Sequence, residues 1–279
     1  MSSDWVADPD EHLANGWERD LPSSDSLLRG YTDAFAEMVA DIARAAGGRV
    51  LEDERFLAAD AGTTSAYTNA AVLLGPLGEG GTADAVSSLT SFFDAAPGGP
   101  WLLFSPLPTP DLRLRGLGPV GHPPLMFRPK GGDRRSRPAE LEVVRATDAE
   151  TLQTFERTAI EAYPLPELAD VHTGTFMPPA LLDDERFLFF LGLVDGEPIC
   201  TSMAHVGASM SHVEYVSAMP AARGRGYGEA MTWPATLADA DAPSMLIASD
   251  LGRPTYERMG YLPMARFTVW AGTRAKREG

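Results

Sequence analysis

Residues 220–228 read Pro-Ala-Ala-Arg-Gly-Arg-Gly-Tyr-Gly, and an alternating apolar run from His212 to Met219 leads into them. The pattern predicts a strand, a turn crowded with glycine, and a helix opening near Gly226. Glycine at 224, 226 and 228 leaves no Cβ between the backbone and a ligand. A helix that opens at such a turn points unpaired N–H groups and a positive dipole end outward, which suits a pyrophosphate. Arg223 and Arg225 bring positive charge to the same spot. A second pattern follows downstream. Met245–Ala248 is a short apolar strand, Ser249 and Asp250 are cap-type residues, and Pro254 fits an early helical turn. The helix that follows carries Tyr256 and stops at Gly260, which Tyr261 succeeds.

These two patterns are the basis of a family resemblance. Arg223, Gly226 and Gly228 match Gln/Arg-x-x-Gly-x-Gly/Ala, the acetyl-CoA signature of the GNAT acetyltransferases. Tyr256, Gly260 and Tyr261 match the second signature, a Tyr and then a Gly followed by an aromatic residue. Over about residues 141–271 the chain resembles that family. The resemblance implies an α/β (α+β) fold with a mostly antiparallel central sheet flanked by helices. It implies acetyl-CoA as co-substrate and no metal. Backbone N–H groups from Gly224 through Arg225, Gly226, Tyr227 and Gly228 to Glu229 would take the pyrophosphate. Val216, Ser217 and Ala218 would run beside the pantetheine arm, with a backbone N–H near Val216 as oxyanion donor. Tyr256 matches the general acid that protonates the departing thiolate. Ser249 stands where many relatives carry an Asn that touches the cofactor, and a hydroxyl replaces part of that amide's hydrogen bonding. The base is left open between two residues. Strand alternation puts His212, Glu214, Val216 and Ala218 on one face, and His212 and Glu214 are its titratable members. His205, on the preceding strand, is a poorer candidate.

The elements that must position these groups are legible in the same segment. Leu141–Arg145 reads as a first strand. Thr147 or Asp148 caps a helix running to about Tyr163, with Leu152, Phe155 and Ile160 at helical spacing. Phe187–Val194 and Ile199–Val206 read as a hairpin turning at Asp195-Gly196. Pro234 lies inside the helix after the glycine turn and should kink it. Tyr163 to Leu182, rich in proline and aromatics and flanked by carboxylates, is the expected acceptor-binding loop.

The chain has 279 residues, long for one such domain and about right for two. Residues 128–138 are basic, lack apolar side chains and are bounded by prolines, which marks a linker between 1–127 and 139–279. With a shift of 144 positions, Pro76 falls on Pro220, Gly80 on Gly224, Ser105 on Ser249, Pro110 on Pro254 and Gly116 on Gly260. The first half thus reads as a second GNAT-like domain, and a degenerate one. Glu79 replaces Arg223, Thr82 replaces Gly226, Asp84 replaces Gly228 and Leu112 replaces Tyr256. Carboxylates there would repel a pyrophosphate.

A net charge of −16 argues against nucleic acid as partner and favours cationic ligands. The longest apolar runs are too short to span a membrane, and Met1-Ser2-Ser3-Asp4 does not open a secretory signal. Cys200 is the single cysteine and sits in an apolar run, so it reads as core filler in a cytoplasmic protein. The expectation is an acetyl-CoA-dependent N-acetyltransferase acting on a small-molecule amine, with room for a homodimer. Two alternatives share these residues: a non-catalytic acyl-CoA-binding scaffold, and a mycothiol-synthase-like tandem acetyltransferase.

Overall fold

The computed structural model describes residues 17, 26–77, 80–132, 137–163 and 172–275. Glu79, residues 133–136 of the expected linker, residues 164–171 of the expected acceptor loop and the tail 276–279 lie outside the described residues. The first half opens with α1 (Leu27–Ala45), capped by the Ser26 hydroxyl, which accepts from the Arg29 amide at 3.3 Å. The hairpin β1 (Arg49–Asp53) and β2 (Phe56–Asp60) follows. Next come β3 (Asn69–Leu73), α2 (Gly81–Asp94), β4 (Trp101–Ser105), β5 (Gly118–Gly121) and β6 (Pro124–Arg128). The second half runs β7 (Glu142–Arg145), α3 (Ala149–Ala162), β8 (Phe187–Val194), β9 (Glu197–Gly207) and β10 (Met210–Ala218). It continues with α4 (Tyr227–Thr236), β11 (Ser244–Ile247), α5 (Arg253–Arg258), β12 (Leu262–Arg266) and β13 (Thr268–Gly272). Pro234 lies in the last turn of α4, which ends two residues later at Thr236.

The strands form two mixed, mostly antiparallel sheets, with orders β1-β2-β3-β4-β13-β5 and β12-β6-β11-β10-β9-β8-β7. Each holds a parallel pair, β3 with β4 and β10 with β11, bridged by the crossover helices α2 and α4. Each sheet also contains one strand of the other half. β6 lies between β11 and β12, with Ser244 opposite Arg128, and β13 lies between β4 and β5, with Thr268 opposite Ser105. These exchanged strands are themselves 144 positions apart, from Pro124 to Thr268 and from Arg128 to Gly272.

The glycines that align under this shift share backbone conformation. Gly80 and Gly224 have φ of 78° and 77°, and Gly116 and Gly260 have 83° and 90°. That left-handed region is one a Cβ disfavours, so glycine is retained at both punctuation points of both halves.

The exchange changes what residues 128–138 can be. Arg128 closes β6 and is buried. Its Nε donates to the Met259 carbonyl at 2.9 Å, and its guanidinium lies 4.9 Å from the Trp233 ring centroid. The connector therefore starts after Arg128, and cutting it would separate the chain without separating the sheets. The largest core cluster likewise mixes the halves: Tyr31, Phe35 and Met38 of α1 share it with Phe155, Phe187, Met203 and Phe267. Near the C-terminus, Arg274 donates to both oxygens of buried Asp60, at 2.7 and 3.0 Å, tying the tail onto the first half.

Candidate active site

The site begins with a break in β10. Glu214 pairs with Met203 and Ser217 with Thr201, so two residues of β10, Tyr215 and Val216, face one on β9. Tyr215 takes up the extra length at φ 49°, a conformation rare for an aromatic residue, and its carbonyl accepts from Thr201 Oγ1 at 2.9 Å. The bulge shifts the phase of the strand. Val216 packs with Val213, Trp233 and Tyr256, whereas Tyr215 packs edge-on against Phe176 at 5.0 Å, in the cluster on the opposite face. The strict alternation expected from the sequence therefore fails: Val216 does not share a face with His212 and Glu214. Beyond Ser211 and His212, which pair with Ser244 and Met245, β10 has no register with β11. The two parallel strands part there and leave a seam. In the first half, β3 carries no bulge, pairs with β4 from Ala70 to Val72, and is buried along its length.

The glycine turn lies at the head of this seam. Gly224 and Gly226 have φ of 77° and 84°, and a Cβ on Gly224 or Gly228 would meet nothing within 4 Å. Gly226 caps α4, a helix of 10 residues whose first amides have no partner within the helix. Arg223 also has a structural part. Arg223 Nη2 donates to the Ala162 carbonyl at 2.8 Å and its Nε to the Ala218 carbonyl at 3.2 Å, so this guanidinium braces the turn. The Tyr227 side chain is buried and donates to Glu140 at 2.9 Å, which leaves only its backbone to a ligand. Ser217 is likewise committed, its hydroxyl 2.6 Å from Thr201 Oγ1. Ser249 accepts from the Gly252 amide at 3.1 Å in the turn before α5, and its side chain is exposed.

Tyr256 stands on α5, near enough to Glu214 for each to bear on the charge of the other. The Tyr256 ring lies over Gly252, where a Cβ would come within 2.9 Å of the ring. Burial, with nearby Tyr261 and Glu214, raises its phenol well above the usual value. Glu214 is half-buried. Removal from water lifts its carboxyl to about 8, opposed by a hydrogen bond that Tyr31 Oη donates to Oε1 at 3.3 Å. Tyr163, at the end of α3, is raised by burial and by its neighbours Tyr215, Tyr256, Glu214 and Tyr67. Tyr67, from the first half, meets Tyr163 edge-on with ring centroids 6.0 Å apart. Glu214 thus sits among tyrosines drawn from both halves of the chain.

His212, the other expected base, lies deeper. It is fully buried and stacked on Tyr31 with centroids 4.7 Å apart, and neither ring nitrogen has a hydrogen-bond partner among the described residues. Burial and the neighbouring His205 depress its pKa to about 3. A ring so enclosed has no route to a substrate, whereas Glu214 is only half-buried. His205 is buried in the same way, held at about 4, and also without a hydrogen-bond partner among the described residues. Cys200 is buried, with its thiol pushed up to about 12, as filler requires.

The described part of the acceptor loop is held by a residue that the sequence reading passed over. Glu156, on α3, is fully buried and accepts from the amides of Gly174, Phe176 (2.9 Å) and Met177 (3.3 Å). It thereby fixes Phe176 against Tyr215. The signal was available: Glu156 falls on the apolar stripe with Leu152, Phe155 and Ala159, where an unpaired charge has no place. Tyr31 and Tyr67 had no such signal, since only the tertiary fold brings the first to Glu214 and the second to Tyr163.

No protein-family model matches the chain, and no curated protein matches it. Solved structures do resemble it. A GCN5-related N-acetyltransferase from Kribbella flavida gives a TM-score of 0.63 at 19% identity, covering 85% of this chain and 95% of that one. A GCN5-related N-acetyltransferase from Sphaerobacter thermophilus gives 0.55 at 14% identity, over 88% and 95% of the two chains. A third, described as a putative acetyltransferase of the GNAT family from Novosphingobium aromaticivorans, gives 0.52 at 18% identity, over 81% and 92%. At these identities the likeness concerns the fold, and the fold is the GNAT fold.

Proposed function

From a chain with the GNAT fold, we propose an acetyl-CoA-dependent N-acetyltransferase that works in the seam of the second half on a small amine. The observation that carries this reading is the meeting of three features. The strands part at the β10 bulge, an uncrowded glycine turn heads the seam, and a carboxyl at about 8 stands close enough to a tyrosine of α5 to influence it. The co-substrate supplies the activated acetyl group and a thiolate leaving group.

The residues divide the work as follows. Amides at the start of α4 bind the pyrophosphate, helped by the positive end of that helix. Val216, outside the β9 register, offers its N–H where negative charge develops on the thioester oxygen. Glu214 takes the proton from the incoming ammonium, and a base at about 8 suits that task near neutral pH. Tyr256 gives its proton to the departing sulfur. Its raised pKa keeps the phenol protonated until a strong base is generated beside it. Tyr163, Tyr215 and Phe176 form the apolar wall for the body of the acceptor. Ring faces together with a carboxylate suit an amine that arrives as a cation.

Acetyl-CoA titrated into the protein should bind at one site per chain. Gly226→Asp should abolish that site. Asp tolerates the left-handed conformation better than most residues, and a Cβ there has only Pro138 at 3.9 Å, so the variant should fold. Its carboxylate, however, would occupy the seat of the pyrophosphate. Unchanged affinity in Gly226→Asp, or two equivalent sites per chain, would contradict the assignment.

A further inference from the structure

We infer that Tyr31, which belongs to the first half, is a positioning residue for the second half's base: it holds the Glu214 carboxyl in place and decides when it ionises. The inference rests on the base role proposed for Glu214. Its geometric ground is how little freedom Tyr31 has. The side chain is fully buried and enclosed by aromatic rings. It stacks on His212 at 4.7 Å with an interplanar angle of 20°. It lies parallel to Phe35 at 5.9 Å and meets Phe267 edge-on at 5.9 Å. His212 and Glu214 are two apart on β10, before the bulge, so a ring stacked on the first carries its hydroxyl to the second. That hydroxyl donates to Glu214 Oε1 at 3.3 Å. Phe267 immediately precedes β13, so the exchanged strand also helps hold Tyr31 in position.

The titratable groups facing Glu214 are Tyr31 from α1, His212 and Tyr215 from β10, Tyr163 from the end of α3, and Tyr256 from α5. None of them carries a charge at neutral pH, since His212 is held at about 3. No arginine or lysine among the described residues compensates the carboxylate. The Tyr31 hydrogen bond is therefore the protein interaction that offsets the cost of charging it. The first half, whose own β3–β4 seam is closed, supplies part of the second half's machinery.

The test is Tyr31→Phe, which keeps the ring stack and removes only the hydroxyl. The rising limb of the turnover–pH profile should move up by about half to one pH unit, as expected for losing one hydrogen bond to a carboxylate. At pH 7 turnover should fall about 3- to 10-fold and recover at higher pH, with acetyl-CoA affinity unchanged. In a Glu214→Gln background the same change should add nothing. A loss equal at every pH, or no shift of the limb, would overturn the inference. If instead Glu214→Gln leaves turnover intact, it is the base assignment that fails. Should Tyr31→Phe not fold, the full-length wild-type protein with labelled tyrosine still decides the matter by NMR. The Tyr31 ring signal should titrate with a midpoint near 8 and lose that transition in Glu214→Gln; a signal flat across that range in the wild type would overturn it.

Discussion

Replacing Glu214 with Gln is expected to lower turnover by about 10²–10⁴-fold while leaving acetyl-CoA affinity unchanged, the loss typical of a positioned general base. The wild-type rate should climb tenfold per pH unit below about 8 and then level off, because the base acts only when ionised. In Glu214→Gln that limb should disappear. Stability should respond with the opposite sign. The carboxyl is raised in the folded state from an ordinary value of 4.5 to about 8, so its contribution is full below 4.5 and is lost as pH rises through 8. The Gln variant should therefore lose less thermal stability than the wild type between pH 6 and 9, measured by melting across that range. A variant whose rate keeps the same limb would show that the titration belongs to another group.

Tyr256→Phe is the second change with a large expected effect. The ring still fits over Gly252, so cofactor binding should survive, but the proton donor is lost. Turnover and kcat/KM should fall together by about 10²–10⁴-fold, the pattern of an interaction made only in the transition state. Equal losses in acetyl-CoA affinity and rate would make Tyr256 a binding contact. Neither loss would mean that water protonates the thiolate.

The sequence disclosed those parts of the site whose geometry is local. A glycine in the left-handed region is a local requirement, so Gly224, Gly226 and Gly260 were legible, as were Gly80 and Gly116 at the matching places of the first half. Asp148 as a helix cap is equally local, and its side chain accepts from the Thr151 amide at 2.8 Å. What stayed hidden depends on partners far along the chain. Pro124–Arg128 does not read as a strand, its last residue falling in the expected connector, because nothing near it says that it pairs with Ser244–Ile247. The bulge at Tyr215 was masked because a run of apolar and polar residues reads as regular alternation until a residue is inserted. Arg223 and Ser249 were matched by motif position, yet their hydrogen bonds go to the protein's own backbone. A position in a signature says which element a residue stands on, and less about what its side chain does there. Tyr31 is the extreme case, 183 residues from Glu214 and in a half with no catalytic signature.

The central claim is that the seam of the second half transfers acetyl groups rather than merely holding a thioester. The most direct measurement follows free thiol and acetylated amine together, with acetyl-CoA and a panel of primary amines that includes aromatic and aliphatic bodies. One thiol should be released per amine acetylated, for at least one member of the panel, with the activity removed by Gly226→Asp and sharply reduced by Glu214→Gln. Acetyl-CoA that binds at one site per chain, yet releases thiol no faster than buffer with every amine offered, would contradict it.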